Sequence, residues 1–176
     1  MKRYRIPFSG LKVGKHDFEF DIDRKFFDCF EYSLVKDGDL EVAVELQRQE
    51  NMLVVDFHID GTIELTCDVC LSDFPGQVSI DERLIVKFTE DDVDSSTEEI
   101  VVLSKNEYEL DIADLLYEYI NLAVPHYKKC SEQGNGIECD QDMVAQLSKL
   151  APQEPQSEAE EGTDPRWEAL KHLRNN

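Results

Sequence analysis

"LEVAVELQRQENMLVVDFHID", residues 40–60, is two runs of alternating side chains joined at a turn. In the first run Val42, Val44 and Leu46 alternate with Glu41, Ala43 and Glu45. In the second, Leu53, Val55, Phe57 and Ile59 alternate with Val54, Asp56, His58 and Asp60. A period of two gives each strand one buried and one wetter face, and Asn51 marks a short turn between them. Upstream, "CFEYSLVK" meets the first run across Asp37-Gly38, a strong hairpin turn pair, so Cys29 within it is expected to be a small buried hydrophobe. Downstream, Gly61 stays in phase with Ile59 and Ile63. The strand should therefore continue to Leu65 and Thr66, with a bulge or close backbone approach at the glycine. After Pro75-Gly76 the alternation resumes in "QVSIDERLIVKF" as the returning partner strand. Consecutive hairpins imply an antiparallel meander.

Beyond the meander the pattern changes. Residues 89–99, "TEDDVDSSTEE", are dense in acid and serine and lack an apolar period, which predicts an exposed loop. "IVVL" is a short strand. Asp111 caps a helix over "IADLLYEYINLAV", where Ile112, Leu115, Leu116, Tyr119, Ile120 and Ala123 recur at helical spacing, Asp114 lies in the first turn and Pro125 ends the helix. A second amphipathic segment, "DQDMVAQLSKLAP", puts Met143, Val144, Leu147 and Leu150 on one face. The expected class is α+β: mainly antiparallel β-sheet or a partly closed barrel, with one well-defined central helix and peripheral C-terminal helices. The expected organisation is one globular domain over 1–150, an acidic linker over 151–163 and a short helix over 164–176. In that helix Asp164 is a good N-cap and Pro165 a good first residue. An isolated helix of about ten residues is marginal in water, so Trp167, Leu170 and Leu173 should dock on the body or on a partner.

Charge narrows the function. Lys and Arg number 18 against 39 Asp and Glu among 176 residues, a formal charge of -21. Affinity for nucleic acid comes from cations that release counterions from phosphates, so broad electrostatic capture of nucleic acid is disfavoured and a basic protein partner suits the chain better. Against this, Lys2, Arg3, Arg5, Lys12 and Lys15 form an acid-free start over residues 1–16, and Arg166, Lys171 and Arg174 lie beside Trp167, so local patches could touch rRNA phosphates or stack on a base. No stretch approaches the ~20 apolar residues of a membrane span. "MKRYRIPFSG" lacks the apolar core of a signal peptide, and the expected location is cytoplasmic.

Five cysteines, an odd number without an export signal, favour reduced thiols or metal ligation over a disulfide framework. Cys67 and Cys70 sit in "ELTCDVCLSDFPG" at the expected hairpin tip. That spacing occurs in zinc knuckles, redox pairs and plain turns. A redox pair usually opens a helix, and no helix signal follows here. A zinc knuckle needs two further ligands; the candidates are Cys130 and Cys139 in "HYKKCSEQGNGIEC", with His126 in reserve. His16, His58, His126 and His172 are scattered, the carboxylates fall in runs, and no phosphate loop or HExxH occurs. The sequence carries no sign of catalysis.

The ordered set "FSGLKVGKHDFEFDIDRKFF", "LTCDVCLSDF", "DIADLLYEYINLAVPHYKKC" and "DPRWEALKHL" resembles the YceD family, the large ribosomal RNA subunit accumulation proteins. The resemblance implies a non-enzymatic bacterial factor that supports large-subunit rRNA accumulation and large ribosomal subunit assembly. Genes of family members often lie beside the gene for a small zinc-ribbon protein of that subunit. Many members carry a further cysteine pair near Cys139, where "GIECDQ" has one. Combined with the charge, the resemblance points to the escort of a basic large-subunit ribosomal protein or a place on a pre-ribosomal particle. Asp164, Pro165, Arg166 and Trp167 are then the expected partner-binding residues, and loop 89–99 and linker 153–161 the expected screen for a cationic client.

Overall fold

The computed structural model describes residues 4–89, 100–104, 106–132 and 136–150. In chain order it contains β1 (Arg5–Pro7), β2 (Gly14–Ile22), α1 (Arg24–Phe27), β3 (Gly38–Arg48), β4 (Met52–Thr66), β5 (Asp73–Thr89), β6 (Ile100–Ser104), β7 (Glu109–Asp111), α2 (Ala113–Leu122) and α3 (Gln141–Leu150). The chain divides into two compact units, Met1–Gln141 and Asp142–Asn176. Among the described residues, all the strands lie in the first.

The alternating runs form the strands they predict. β2, β3, β4 and β5 pair in order as an antiparallel meander, with Val42 opposite Ile59 and Ile59 opposite Ile80. β6 joins beside β5 in parallel, Ile85 opposite Ile100, so the sheet is mixed and mostly antiparallel. It runs β2-β3-β4-β5-β6 from edge to edge, and β1 pairs separately with β7. The expected barrel alternative is corrected accordingly: β2 and β6 do not pair with each other, and the sheet stays open.

One face of this sheet is apolar because the period of two sends Val42, Val44, Leu46, Val55, Phe57 and Ile59 to the same side, each at most 2% exposed. Full burial of a side chain of this kind contributes ~1.5–3 kcal/mol. α2 supplies Leu116 and Ile120 as buried residues, and the Tyr119 ring meets Phe57 edge-on with centroids 5.6 Å apart. The helix begins one residue later than the pattern suggested, so its N-cap is Ile112, which makes no side-chain capping bond, and Asp111 stands one residue before it, accepting from the Ala113 N–H at 3.1 Å.

Gly61 is the close approach predicted from its phase. Its φ is +151°, and a Cβ there would stand 2.2 Å from the Asp39 carbonyl oxygen and 2.8 Å from the Leu40 Cα. Only glycine lets β3 and β4 pair without a break at this point.

Two expectations fail upstream. "CFEYSLVK" is not a strand: the chain leaves α1 through turns and an irregular segment that reaches β3 at Gly38. The segment buries Ser33 and Val35 and stacks Phe30 on Tyr117 of α2, with centroids 3.9 Å apart. Cys29 is exposed, its thiol donating to the Lys25 carbonyl at 3.3 Å, because it follows the last turn of α1 and faces away from the core. The strand that pairs with β3 is instead β2, where Phe18 and Phe20 alternate with Asp17, Glu19 and Asp21.

In the second unit, α3 follows the predicted segment; Met143, Val144 and Leu147 are half-buried and Leu150 is 80% exposed. Apart from Thr89, the acidic loop expected at 89–99 lies outside the described residues. So do linker 151–163 and segment 164–176, with Asp164, Pro165, Arg166 and Trp167.

Candidate metal centre

β4 ends at Thr66 and β5 begins at Asp73, so Cys67 and Cys70 occupy the hairpin tip where the sequence puts them. The tip is a closed turn: the Cys67 N–H donates to the Ser72 carbonyl at 2.9 Å, and the Leu71 N–H returns to the Cys67 carbonyl at 2.9 Å. Leu71 adopts φ +60° to close it, a left-handed conformation that costs an L-residue roughly 1–2 kcal/mol. β5 follows at once. No helix opens at these cysteines, so neither thiol gains the helix N-terminus that usually activates a redox pair.

The second pair arrives from the chain beyond α2. Cys130 opens a short 3-10 turn, Cys130–Glu132, and Cys139 lies shortly before α3. Asp68 anchors this segment to the hairpin tip. Its N–H donates to the Lys128 carbonyl at 2.7 Å, its carboxylate accepts from the Lys128 N–H at 2.7 Å, and Lys128 Nζ stands 3.8 Å from Asp68 Oδ1. Neither residue was singled out from sequence, because sixty positions separate them and nothing local in either stretch announces the pairing.

The four sulfurs of Cys67, Cys70, Cys130 and Cys139 all lie within 4.8 Å of one another. The Cys67–Cys139 separation is 4.0 Å, Cys70–Cys130 is 3.8 Å and Cys130–Cys139 is 3.4 Å. These are far longer than a disulfide, and all four cysteines are free thiols. A tetrahedron of sulfurs about a cation at ~2.3 Å has edges of ~3.8 Å, so the cluster could hold a metal with little movement. Cys67, Cys70 and Cys130 are at most 1% exposed. His126 is exposed and is not part of the cluster.

The thiols differ in acidity. The Ser72 and Asp140 backbone N–H groups hold Cys70 down to about 6. At Cys67 burial is the largest single influence and acts upward, yet the N–H groups of Cys130, Cys70 and Val69 together bring the thiol below its ordinary value. Two of those donors are seen directly, Val69 N–H at 3.4 Å and Cys130 N–H at 3.5 Å from Cys67 Sγ. Burial, followed by the neighbouring thiols of Cys139, Cys67 and Cys70, pushes Cys130 up to about 12. Negative charge cannot accumulate in so small a buried volume without a cation to share it.

Among the described residues, no helix is long and apolar enough to cross a membrane. Comparisons with curated proteins and with solved structures gave no match. A family model does match, over residues 55–174, which takes in all four clustered cysteines and leaves out the segment before Val55, near the start of β4. The chain belongs to the family that this model describes, the large ribosomal RNA subunit accumulation protein YceD.

Proposed function

We propose that the protein is a non-enzymatic factor that supports large-subunit rRNA accumulation and assembly of the large ribosomal subunit by escorting a basic ribosomal protein. The family match carries the first half of this reading. The second half rests on where the charge lies. The sheet face opposite the core carries carboxylates that meet across the strands: Asp21 opposite Glu41 opposite Asp60, and Asp17 opposite Glu45 opposite Asp56, where Glu45 pairs with Lys15 and Asp56 with Arg83. Like charges placed directly opposite one another destabilise a sheet. The acidic excess left on this face beyond the cations of Lys15 and Arg83 suits a cationic client.

Zinc is the metal proposed for Cys67, Cys70, Cys130 and Cys139. Four thiolates make a closed structural site with no open position for water or substrate. Bound there, the ion would staple the β4–β5 tip to the chain around Cys130 and Cys139.

Direct rRNA contact through the basic start is the second reading. Arg5 is paired with Glu109 and Asp111, and Lys15 with Glu45 at 2.7 Å, so two of the five cations expected to meet phosphate are already neutralised.

The test is recovery of associated proteins and RNA from cells with and without segment 164–176, alongside the ratio of large- to small-subunit rRNA in cells that lack the chain. Recovery of a basic large-subunit protein and a lowered ratio support the reading. An unchanged ratio overturns it.

A further inference from the structure

We infer that β2 is the docking edge for an extended basic segment of the client, which joins the sheet as a sixth strand. The inference rests on the escort reading and names the place where that client binds.

β2 ends the five-stranded sheet and, among the described residues, pairs only with β3. Two bonds at opposite ends of the β3–β4 hairpin fix which backbone groups it leaves open. The Glu64 N–H donates to the Asp37 carbonyl and the Gln49 N–H to the Met52 carbonyl, both at 2.9 Å. The register is constant between them. Antiparallel alternation therefore turns the backbone groups of Glu41, Ala43 and Glu45 toward β4, and those of Val42, Val44 and Leu46 toward β2. Phe20, Phe18 and His16 stand opposite the latter three and take their bonds. The N–H and C=O groups of Lys15, Asp17, Glu19 and Asp21 then point out of the sheet edge. The Tyr4 hydroxyl agrees with this direction, donating to the Asp21 carbonyl at 3.0 Å. That contact closes one end of the edge, and residues 15–19 are the open stretch.

Sheet edges are ordinarily guarded by proline, by a bulge, by lysine, or by being very short. β2 is nine residues long and holds no proline. Its one lysine, Lys15, is drawn onto the sheet by Glu45 at 2.7 Å. The edge has two unlike faces. Phe18 and Phe20 are half-buried on the core side, opposite Val44 and Val42, and Asp17 and Glu19 are exposed on the other side. Among the described residues the Asp17 and Glu19 carboxylates have neither an ion pair nor a hydrogen bond.

An extended segment that alternates lysine or arginine with apolar residues matches all three features: backbone groups for the edge, cations beside Asp17 and Glu19, and apolar side chains beside Phe18 and Phe20. A second copy pairing through the same edge about Phe18 would set Asp17 opposite Glu19, and like charges so placed repel.

The probe is a capped peptide of alternating lysine and valine, titrated into the full chain at low salt. Amide exchange at Asp17 and Glu19, rapid in the chain alone, should slow about tenfold or more at saturation, an effect that attraction between charges does not produce. One alternate set of peptide amides faces β2 and the other faces solvent. Of two versions N-methylated at one set or the other, one should bind about tenfold more weakly and the other within about threefold of the parent. Glu19→Pro removes an N–H that β3 does not use. It should weaken binding about tenfold or more, against about threefold for Glu19→Gln, which removes the charge alone. Asp17→Lys/Glu19→Lys should cost more than Glu64→Lys/Glu118→Lys, which changes net charge equally at positions on β4 beyond the end of β3 and on α2. Unslowed exchange at Asp17 and Glu19, equal binding of the two methylated peptides, or a dimer through β2 that excludes the peptide would overturn the edge. The two readings separate cleanly. A basic ribosomal protein that binds Glu19→Pro as well as the wild type removes the strand addition and leaves the escort, whereas peptide bound along β2 with no ribosomal protein bound removes the escort alone.

Discussion

Replacing Cys130 by serine is expected to abolish zinc binding at the proposed site, and the size of the effect can be worked out. The cluster joins three pieces of chain: the β4–β5 tip, the 3-10 turn at Cys130 and the stretch at Cys139. A ligand that binds only the folded state at a free concentration a thousandfold above its dissociation constant stabilises that state by about 4 kcal/mol. For a unit of this size, each kcal/mol moves the melting temperature by roughly 3–5 °C, so loss of zinc should lower it by about 12–20 °C. Serine adds its own penalty, because a hydroxyl in so buried a position costs ~1–3 kcal/mol if it finds no partner. A chelator separates the two effects. Wild-type protein should release about one equivalent of zinc in a colorimetric assay and then melt at the lower temperature. The Cys130→Ser variant should carry little zinc and barely respond to the chelator, while Cys29→Ser, altered at an exposed thiol outside the cluster, should match the wild type. Wild-type protein purified without chelator that carries under about a tenth of an equivalent, and whose melting ignores the chelator, would refute the reasoning.

Three further outcomes are expected. Gly61→Ala places a Cβ 2.2 Å from the Asp39 carbonyl at a φ of +151° and should destabilise the fold by at least about 3 kcal/mol in urea unfolding; a loss below about 1 kcal/mol would mean that β3 and β4 are not so close. Asp68→Ala removes the carboxylate that holds the Lys128 N–H and should weaken metal affinity roughly 10- to 100-fold in chelator competition while leaving the four sulfurs intact; unchanged affinity would show that the clamp contributes nothing to the site. Burial, and then the charges of Glu82 and Glu118, raise the Tyr119 hydroxyl above its ordinary value. A raised acid contributes its stability below the unfolded value and loses it as pH climbs through the folded one, so the fold should weaken above about pH 10. Tyr119→Phe should reduce that alkaline loss, and an identical profile would count against the packing of Tyr119 on Phe57.

Much of the sheet was legible because its register is a matter of parity. Val42, Val44 and Leu46 opposite Ile59, Phe57 and Val55 need only the period of two and a turn at Asn51, and Gly61 declared itself by interrupting an apolar phase. The same parity runs through "HDFEFDI", which forms most of β2. "CFEYSLVK" misled for the opposite reason. Its aromatic and β-branched residues have strand propensity, but Phe30 stacks on Tyr117 and Val35 is buried in the core, so tertiary contacts override the local preference. The parallel β5–β6 pairing and the β1–β7 pairing join distant segments through contacts with no local signature. At the metal centre the hairpin tip was readable from Cys67 and Cys70. Cys130 and Cys139 were readable as the further ligands that a zinc knuckle needs, whereas the clamp of Asp68 on Lys128 beside them appears only once the chain is folded.

The escort reading is tested most directly by mixing the purified chain first with a basic protein of the large ribosomal subunit and then, separately, with a large-subunit rRNA fragment, and following complex formation at low salt. The account predicts a complex with the protein and none with the RNA. Tight binding of the RNA without binding of the protein would contradict it.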